Sequence, residues 1–277
     1  MDIEYDISLC LDTPMGLEEL RTFIAAVEAH SEPAAYEVLA QPADFRPESP
    51  AGWELQDDWP NLRLLPRPEP NRRPTRQPAA NRIRLLNQAI NQARGRYPAP
   101  WSPAVLPLTG CLPTLVEFMD EETETAAAAP RLVNQQGDPI AGRRRLPGLP
   151  TLLLLHTPLG QTGLLGGMVL KHHYYAELPP VLSQATAEFL NDRALLLRRP
   201  ALEEVGGFDP AFHHRYADAD FCRRAARMGW YCHYLATAVA RETQPWVHQV
   251  DYLRRQPQPG HLADAGRLLL KKWGRRR

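Results

Sequence analysis

The opening forty residues constrain the fold more than any other part of the chain. Ile7 to Leu11 is a short apolar run suited to a buried strand. In GLEELRTFIAAVEAH, Leu17, Leu20, Ile24 and Val27 recur at helical spacing and give an amphipathic helix. Tyr36 to Ala40, YEVLA, reads as the second strand. Strand, helix and strand in this order predict a right-handed crossover and therefore parallel pairing. At 277 residues the chain can bury a full core, either as one large α/β domain or as two small ones.

The rest continues the alternation. Residues 66 to 80, PRPEPNRRPTRQPAA, are rich in proline and arginine and read as a loop. A helix is expected over 81–94, with Ile83, Leu86, Ile90 and Ala93 inward and Gly95 as its stop. A second proline cluster spans Pro98 to Pro107. The helix after it carries Leu112, Leu115, Val116 and Met119, and the acidic, alanine-rich run 120–129 ends it. Residues 131–150 read as hairpin or loop, and TLLLLHT, ALLLRR and WYCHYL as strands. Asp218 to Met228 is a helix stopped by Gly229, and about 261–277 a terminal amphipathic helix rich in arginine and lysine.

Composition removes several function classes. Lysine plus arginine equal aspartate plus glutamate at 32 each, so no global field draws in nucleic acid. The arginine-rich stretch 63–96 has no interleaved stacking aromatics, which argues against nucleic acid locally as well. Cys10, Cys111, Cys222 and Cys232 form no C-x-x-C pair and read as free thiols in a reducing compartment. MDIEYDISLC has no basic n-region followed by a long apolar core, and the longest apolar runs are too short to span a bilayer. The expected location is the cytoplasm, peripheral at the inner face of the membrane if the basic tail touches lipid.

Several segments then agree with one family. Residues 198–224, RRPALEEVGGFDPAFHHRYADADFCRR, give a basic pair, a V-G-G-F-D turn, a short aromatic stretch and an acidic cluster. Asn87 to Tyr97 carries N-x-A-x-x-x-A-x-G-x-Y, Gly110 to Asp120 a helix of matching spacing, and Gly229-Trp230 follows the acidic helix. In order and spacing these resemble the inverting family 2 glycosyltransferases, of rhamnosyltransferase-like type, from about Asp6 to about Glu242. The resemblance implies an α/β fold: a GT-A-like, Rossmann-type, mostly parallel sheet flanked by helices, in a single domain. It implies a nucleotide half over 1–104, an acceptor half over 105–258 and a basic amphipathic tail over 259–277.

Such a reaction needs a cation for the leaving nucleoside diphosphate, polar partners for base and ribose, and a general base for the acceptor hydroxyl. The family's metal loop falls on Trp101-Ser102-Pro103-Ala104, where neither alanine nor proline can ligate. Its nucleotide-binding aspartate falls on Pro42, the glutamate of its acidic cluster on Ala217, and its late metal-binding histidine on Glu242, a weak metal candidate. The base survives: Asp218 stands in its register and Asp220 follows on the same turn. The alternative for these two is a helix cap at Asp218 and an i,i+4 pair from Asp220 to Arg224. The resemblance also places Asn87, Arg193, His213, His214 and Trp230 along the donor and acceptor cleft. Arg72, Arg73, Arg76, Arg82 and Arg84 offer guanidiniums for a diphosphate, or a solvated loop and helix face.

Two functions follow from the resemblance. One is a degenerate transferase that binds or scaffolds beside active glycosyltransferases and other glycan-assembly proteins, without a cofactor. The other is an active, metal-independent enzyme taking a nucleotide-sugar, with Asp218 as base; manganese or magnesium enters only through ligands outside the family's loop. Residues 261–277 are left between an anionic membrane face and docking on the domain or a partner.

Overall fold

The computed structural model describes residues 5–30, 34–66, 82–140, 142–156, 164–175, 178–182, 187–213, 215–243 and 259–273. Its first half is built as the β-α-β opening requires. Strand β1 (Ile7–Leu11) is buried at every position and lies between β2 (Tyr36–Ala40) and β4 (Tyr97–Trp101), parallel to both. Beyond β2, β3 (Leu62–Leu64) completes a four-stranded parallel sheet in the order β3-β2-β1-β4. Helix α1 (Leu17–His30) joins β1 to β2 and buries Leu20, Phe23, Ile24 and Val27. The short α2 (Pro50–Asp58) is capped by the Ser49 hydroxyl, which accepts from the Gly52 N–H. Helix α3 (Arg82–Gln92) crosses back beneath β1, burying Ile83, Leu86 and Ile90.

The second half is a mixed sheet in the order β10-β6-β11-β5. Strand β5 (Val105–Pro107) leads into α4 (Cys111–Glu121), then β6 (Thr125–Val133), β7 (Pro139–Ile140) and β8 (Arg143–Arg144). Helices α5 (Leu149–His156) and α6 (Leu164–His173) follow, then β9 (Phe189–Leu190), β10 (Leu196–Leu197) and α7 (Arg199–Val205). Helix α8 (Ala217–Arg227) and the long β11 (Tyr231–Glu242) precede the final described helix, α9 (Pro259–Trp273). The two sheets meet at a Trp101–Ala194 bridge, with the Leu195 N–H donating to the Pro100 carbonyl at 3.0 Å. Helices cover both faces, as the single-domain α/β expectation requires.

One local expectation is corrected and two are completed. The run 120–129 does end α4, at Glu121, and its alanines go on into β6, where Ala126 to Ala129 are buried and Ala127 and Ala128 pair with both β10 and β11. Small side chains there let the covering helices approach closely, and that burial overrides alanine's helix propensity. TLLLLHT falls largely in helix α5, because a short apolar run carries no period to separate strand from helix. The second proline cluster forms β4 and β5; Pro98 and Pro100 are tolerated because β4 ends its sheet. Gly95 also differs from a simple helix stop. A Cβ there would lie 2.7 Å from the Ile7 carbonyl carbon, and its N–H donates to the Ser8 hydroxyl at 2.7 Å. That hydroxyl in turn donates to buried Glu37 at 2.6 Å, so the turn is fixed by close approach to β1.

Candidate functional site

The ends of β1, β2 and β4 converge where open parallel sheets hold ligands. Asp12 follows β1 directly, and its N–H donates to the Trp101 carbonyl at 3.1 Å. Its carboxylate is 2% exposed and takes two N–H groups of Arg82, the Nε one at 2.9 Å. The same guanidinium reaches Asp192 Oδ2 at 2.7 Å through Nη1. One arginine from the start of α3 therefore ties the end of β1 to the turn before β10. Burial opposes ionisation of Asp192, but Arg82, Arg193 and Arg144 outweigh it and hold that carboxyl below the ordinary range.

Arg193 makes a second such tie. Its Nη2 lies 2.6 Å from Glu242 Oε2, with the Glu242 side chain 2% exposed. The loop 102–104 is stitched to the same residues: the Ser102 N–H donates to the Arg193 carbonyl at 2.7 Å. The Ala104 carbonyl accepts from both the N–H and hydroxyl of Thr243. At the end of β2, Pro42 bridges to Met15. The Met15 N–H donates to the Gln41 carbonyl and the Ala43 N–H to the Met15 carbonyl, closing the two loops on each other.

A divalent cation of the family's kind does not fit these residues. The loop facing Glu242 offers Pro103 and Ala104, and the Glu242 carboxylate carries a guanidinium instead. Among the described residues no group of three or more His, Cys, Asp or Glu is arranged to hold a metal ion. Arg193 supplies the positive charge beside the buried Glu242 carboxylate.

The second group of candidate residues centres on Asp218, in the first turn of α8. Tyr216 precedes that helix in a left-handed conformation, φ +68°, an uncommon one for a bulky side chain. Asp218 Oδ1 accepts from the Ala219 N–H at 2.8 Å, and the residue is 5% exposed. Burial first, then the neighbouring Asp192 charge, push its carboxyl up to about 7, against Arg144 and Arg82. The two aspartates are thus driven apart, one held ionised and the other poised near neutrality. This is the pattern by which a paired site assigns acid and base roles. Arg144 completes the surroundings, its guanidinium 5.7 Å from the Tyr174 ring centre and 5.8 Å from that of Phe189.

The remaining sequence candidates have other work. Asp220 is fully buried and receives Arg224 Nε at 2.8 Å and Arg223 at 3.4 Å. Arg224 passes on to the carbonyls of Val205, Gly206 and Gly207, so this pair shapes the glycine turn. Asn87 grips the same turn from α3, donating to the Phe208 carbonyl at 2.7 Å and accepting its N–H at 3.2 Å. Those bonds use the amide as a backbone clip. Trp230 lies past the far end of α8 from Asp218, about 15 Å along the helix axis, and donates to Glu204 at 2.8 Å. The structure therefore separates Trp230 from Asp218.

His213 presents its N–H to Asp264 of α9, at 3.1 Å to Oδ2, and the Arg215 N–H meets the same oxygen at 3.1 Å. The tail helix is docked on the domain through this buried carboxylate, with Ala265 and Leu268 in the core. His214, Arg72, Arg73 and Arg76 lie outside the described residues. Sequence reading missed Asp12, Arg144 and Asp264, and saw Asp192 only as a replacement for a small residue of the resembled family. Only Asp12, an acid at the carboxyl end of the first strand, carried a local signal.

No family model matches the chain, and no curated protein matches it. Solved structures do. The mannosyltransferase PcManGT from Pyrobaculum calidifontis, in complex with GDP-Man and Mn2+, has a TM-score of 0.56 at 17% identity, over 96% of this chain and 66% of that one. GalNAc-T7 with UDP, GalNAc and Mn2+ has a TM-score of 0.64 at 10% identity, over 96% of this chain and 47% of that one. The chain thus spans just under two thirds of the first protein's length and about half of the second's. At such identities the likeness establishes architecture: this is a mixed α/β domain of GT-A-like, glycosyltransferase-like fold.

Proposed function

We propose that the chain is a degenerate relative of the family 2 glycosyltransferases, rhamnosyltransferase-like in its acceptor-half motifs. In this reading it serves as a binding or scaffolding subunit in glycan or polysaccharide assembly, beside active transferases. Residues 1–104 form a donor half that has closed, and residues 105–258 an acceptor half that keeps its shape. The observation that carries the reading is that both guanidiniums at the donor end are already taken. Arg82 is held by Asp12 and Asp192, and Arg193 by Glu242, so each guanidinium already has a carboxylate partner. A nucleoside diphosphate entering there would have to displace those carboxylates before its departing charge could be neutralised.

The test is calorimetric titration of the full chain with GDP-, UDP- and dTDP-sugars, each with and without manganese. No heat of binding is expected up to millimolar nucleotide-sugar. Manganese-dependent binding in the micromolar range would refute the degenerate reading.

A second reading, a metal-independent transferase, is favoured by one observation: Asp218 is held near neutral pH, the range in which a general base works best. It predicts sugar transfer without added metal that Asp218→Asn abolishes while the fold persists.

A further inference from the structure

We propose that α5, α6, the 178–182 segment and α9 together form a face that lies on an anionic lipid surface. Seven of the ten exposed large apolar side chains among the described residues fall on these segments. Leu270 is 75% exposed, Met168 62% and Val181 63%; Leu149, Leu153 and Leu262 are close to half exposed. The segments are neighbours. Helix α5 packs against both α6 and α9. The end of α6 is tied to β8 by the Arg145 N–H bond to the His173 carbonyl, and Arg143 of β8 holds the carbonyls of Pro179 and Leu182.

Helices α5 and α9 already have a buried side, so their exposed residues are surplus to the core. On α5, Leu152 and Leu155 are buried while Leu149 and Leu153, four apart and on one side of the helix, stay exposed. On α9, Asp264, Ala265 and Leu268 face inward while Leu262 and Leu270 do not. A cluster of this size marks an interaction surface.

Charge identifies the occupant. Residues 149 to 170 contain no Asp, Glu, Lys or Arg, and α6 ends in Lys171. The one carboxylate of α9, Asp264, is fully buried and paired with Arg267 at 3.1 Å, so it leaves no net negative charge on this face. In sequence α9 carries Lys271 and Lys272, followed by Gly274 and three arginines. Exposed apolar side chains on segments that carry no exposed acid, with Lys171 exposed at the end of α6 and two more lysines in the sequence of α9, match anionic headgroups over acyl chains. The helices can lie in the interface but not cross it: α5 and α6 are about 12 and 15 Å long against a core of about 30 Å. No helix among the described residues is long and apolar enough to cross a membrane. The inference concerns where the protein works and stands whether or not the cleft transfers sugar.

Flotation of the full chain with phosphatidylcholine vesicles, with and without phosphatidylglycerol, tests it. The protein should float with the anionic vesicles, less with the neutral ones, and less again at high salt. Leu153→Asp combined with Met168→Asp should lower the bound fraction about tenfold or more, with the circular dichroism spectrum unchanged. Leu270→Asp alone, at the most exposed position, should lower it with little chance of disturbing the fold. Lys171→Glu should reduce binding only to the anionic vesicles. Failure to float with anionic vesicles, or flotation that none of these changes reduces, overturns the proposal. So does a dimer in light scattering that the double substitution converts to monomer, because a second copy would then cover the face.

Discussion

Removing Arg193 isolates the ion pair on which the proposed closure of the cleft depends. The Arg193 side chain is 29% exposed and that of Glu242 2%, so Arg193→Met leaves a nearly dry carboxylate without its cation. Breaking a buried pair from one side costs about 3–5 kcal/mol; the partial exposure of Arg193 puts the expectation at the lower end, about 3 kcal/mol. For a domain of this size that is roughly a 6–12 °C fall in melting temperature. Replacing both partners with apolar residues of similar size, Arg193→Met with Glu242→Leu, removes the stranded charge. It should recover most of the loss. Urea denaturation of wild type, both single variants and the double variant closes the cycle and gives the coupling energy directly. A single-variant cost under about 0.5 kcal/mol would place the pair among solvent-screened surface contacts. Arg193 would then not be what neutralises Glu242 in the folded protein.

Three further outcomes are expected. Asn87→Ala strands the N–H and carbonyl of Phe208 and should cost about 2–3 kcal/mol in urea denaturation, with Asn87→Asp intermediate because it keeps the acceptor. Asp218 has a folded value of about 7, above its unfolded one, so its contribution favours the folded state at low pH and is lost as pH rises to 7. Wild type should therefore lose stability relative to Asp218→Asn between about pH 4 and 7, by up to ~1.4 kcal/mol per unit. A difference between the two that is flat with pH would exclude the shift. Asp264→Ala removes the acceptor for two backbone N–H groups, and hydrogen exchange at residues 213 and 215 should speed at least about tenfold, by the worth of one hydrogen bond.

The parallel opening was legible because each element of β1, α1 and β2 is an apolar pattern of the right period and length. The acceptor-half turn was legible through its glycines and its acidic helix. The contents of the cleft were not. Arg82 meets Asp12 across 70 positions and Glu242 meets Arg193 across 49, separations at which no spacing rule operates. Asn87 looked like a ligand contact because its neighbours match a binding helix, yet its amide is spent on Phe208. Alanine at 126–129 gave no strand signal, for the opposite reason. Its local preference is helical, and only the helices packed over β6 decide that a strand of small residues belongs there. Asp220 was readable as an i,i+4 partner of Arg224, and the structure keeps that pair.

The bonds from Asp264 to residues 213 and 215 run to main-chain amides. Their side chains can therefore drift under mutation while the bend that delivers Asp218 keeps its shape, since the information for that bend is stored half a hundred positions away. A single codon in the last helix thus carries a constraint that a reader of the loop alone would assign to the wrong place.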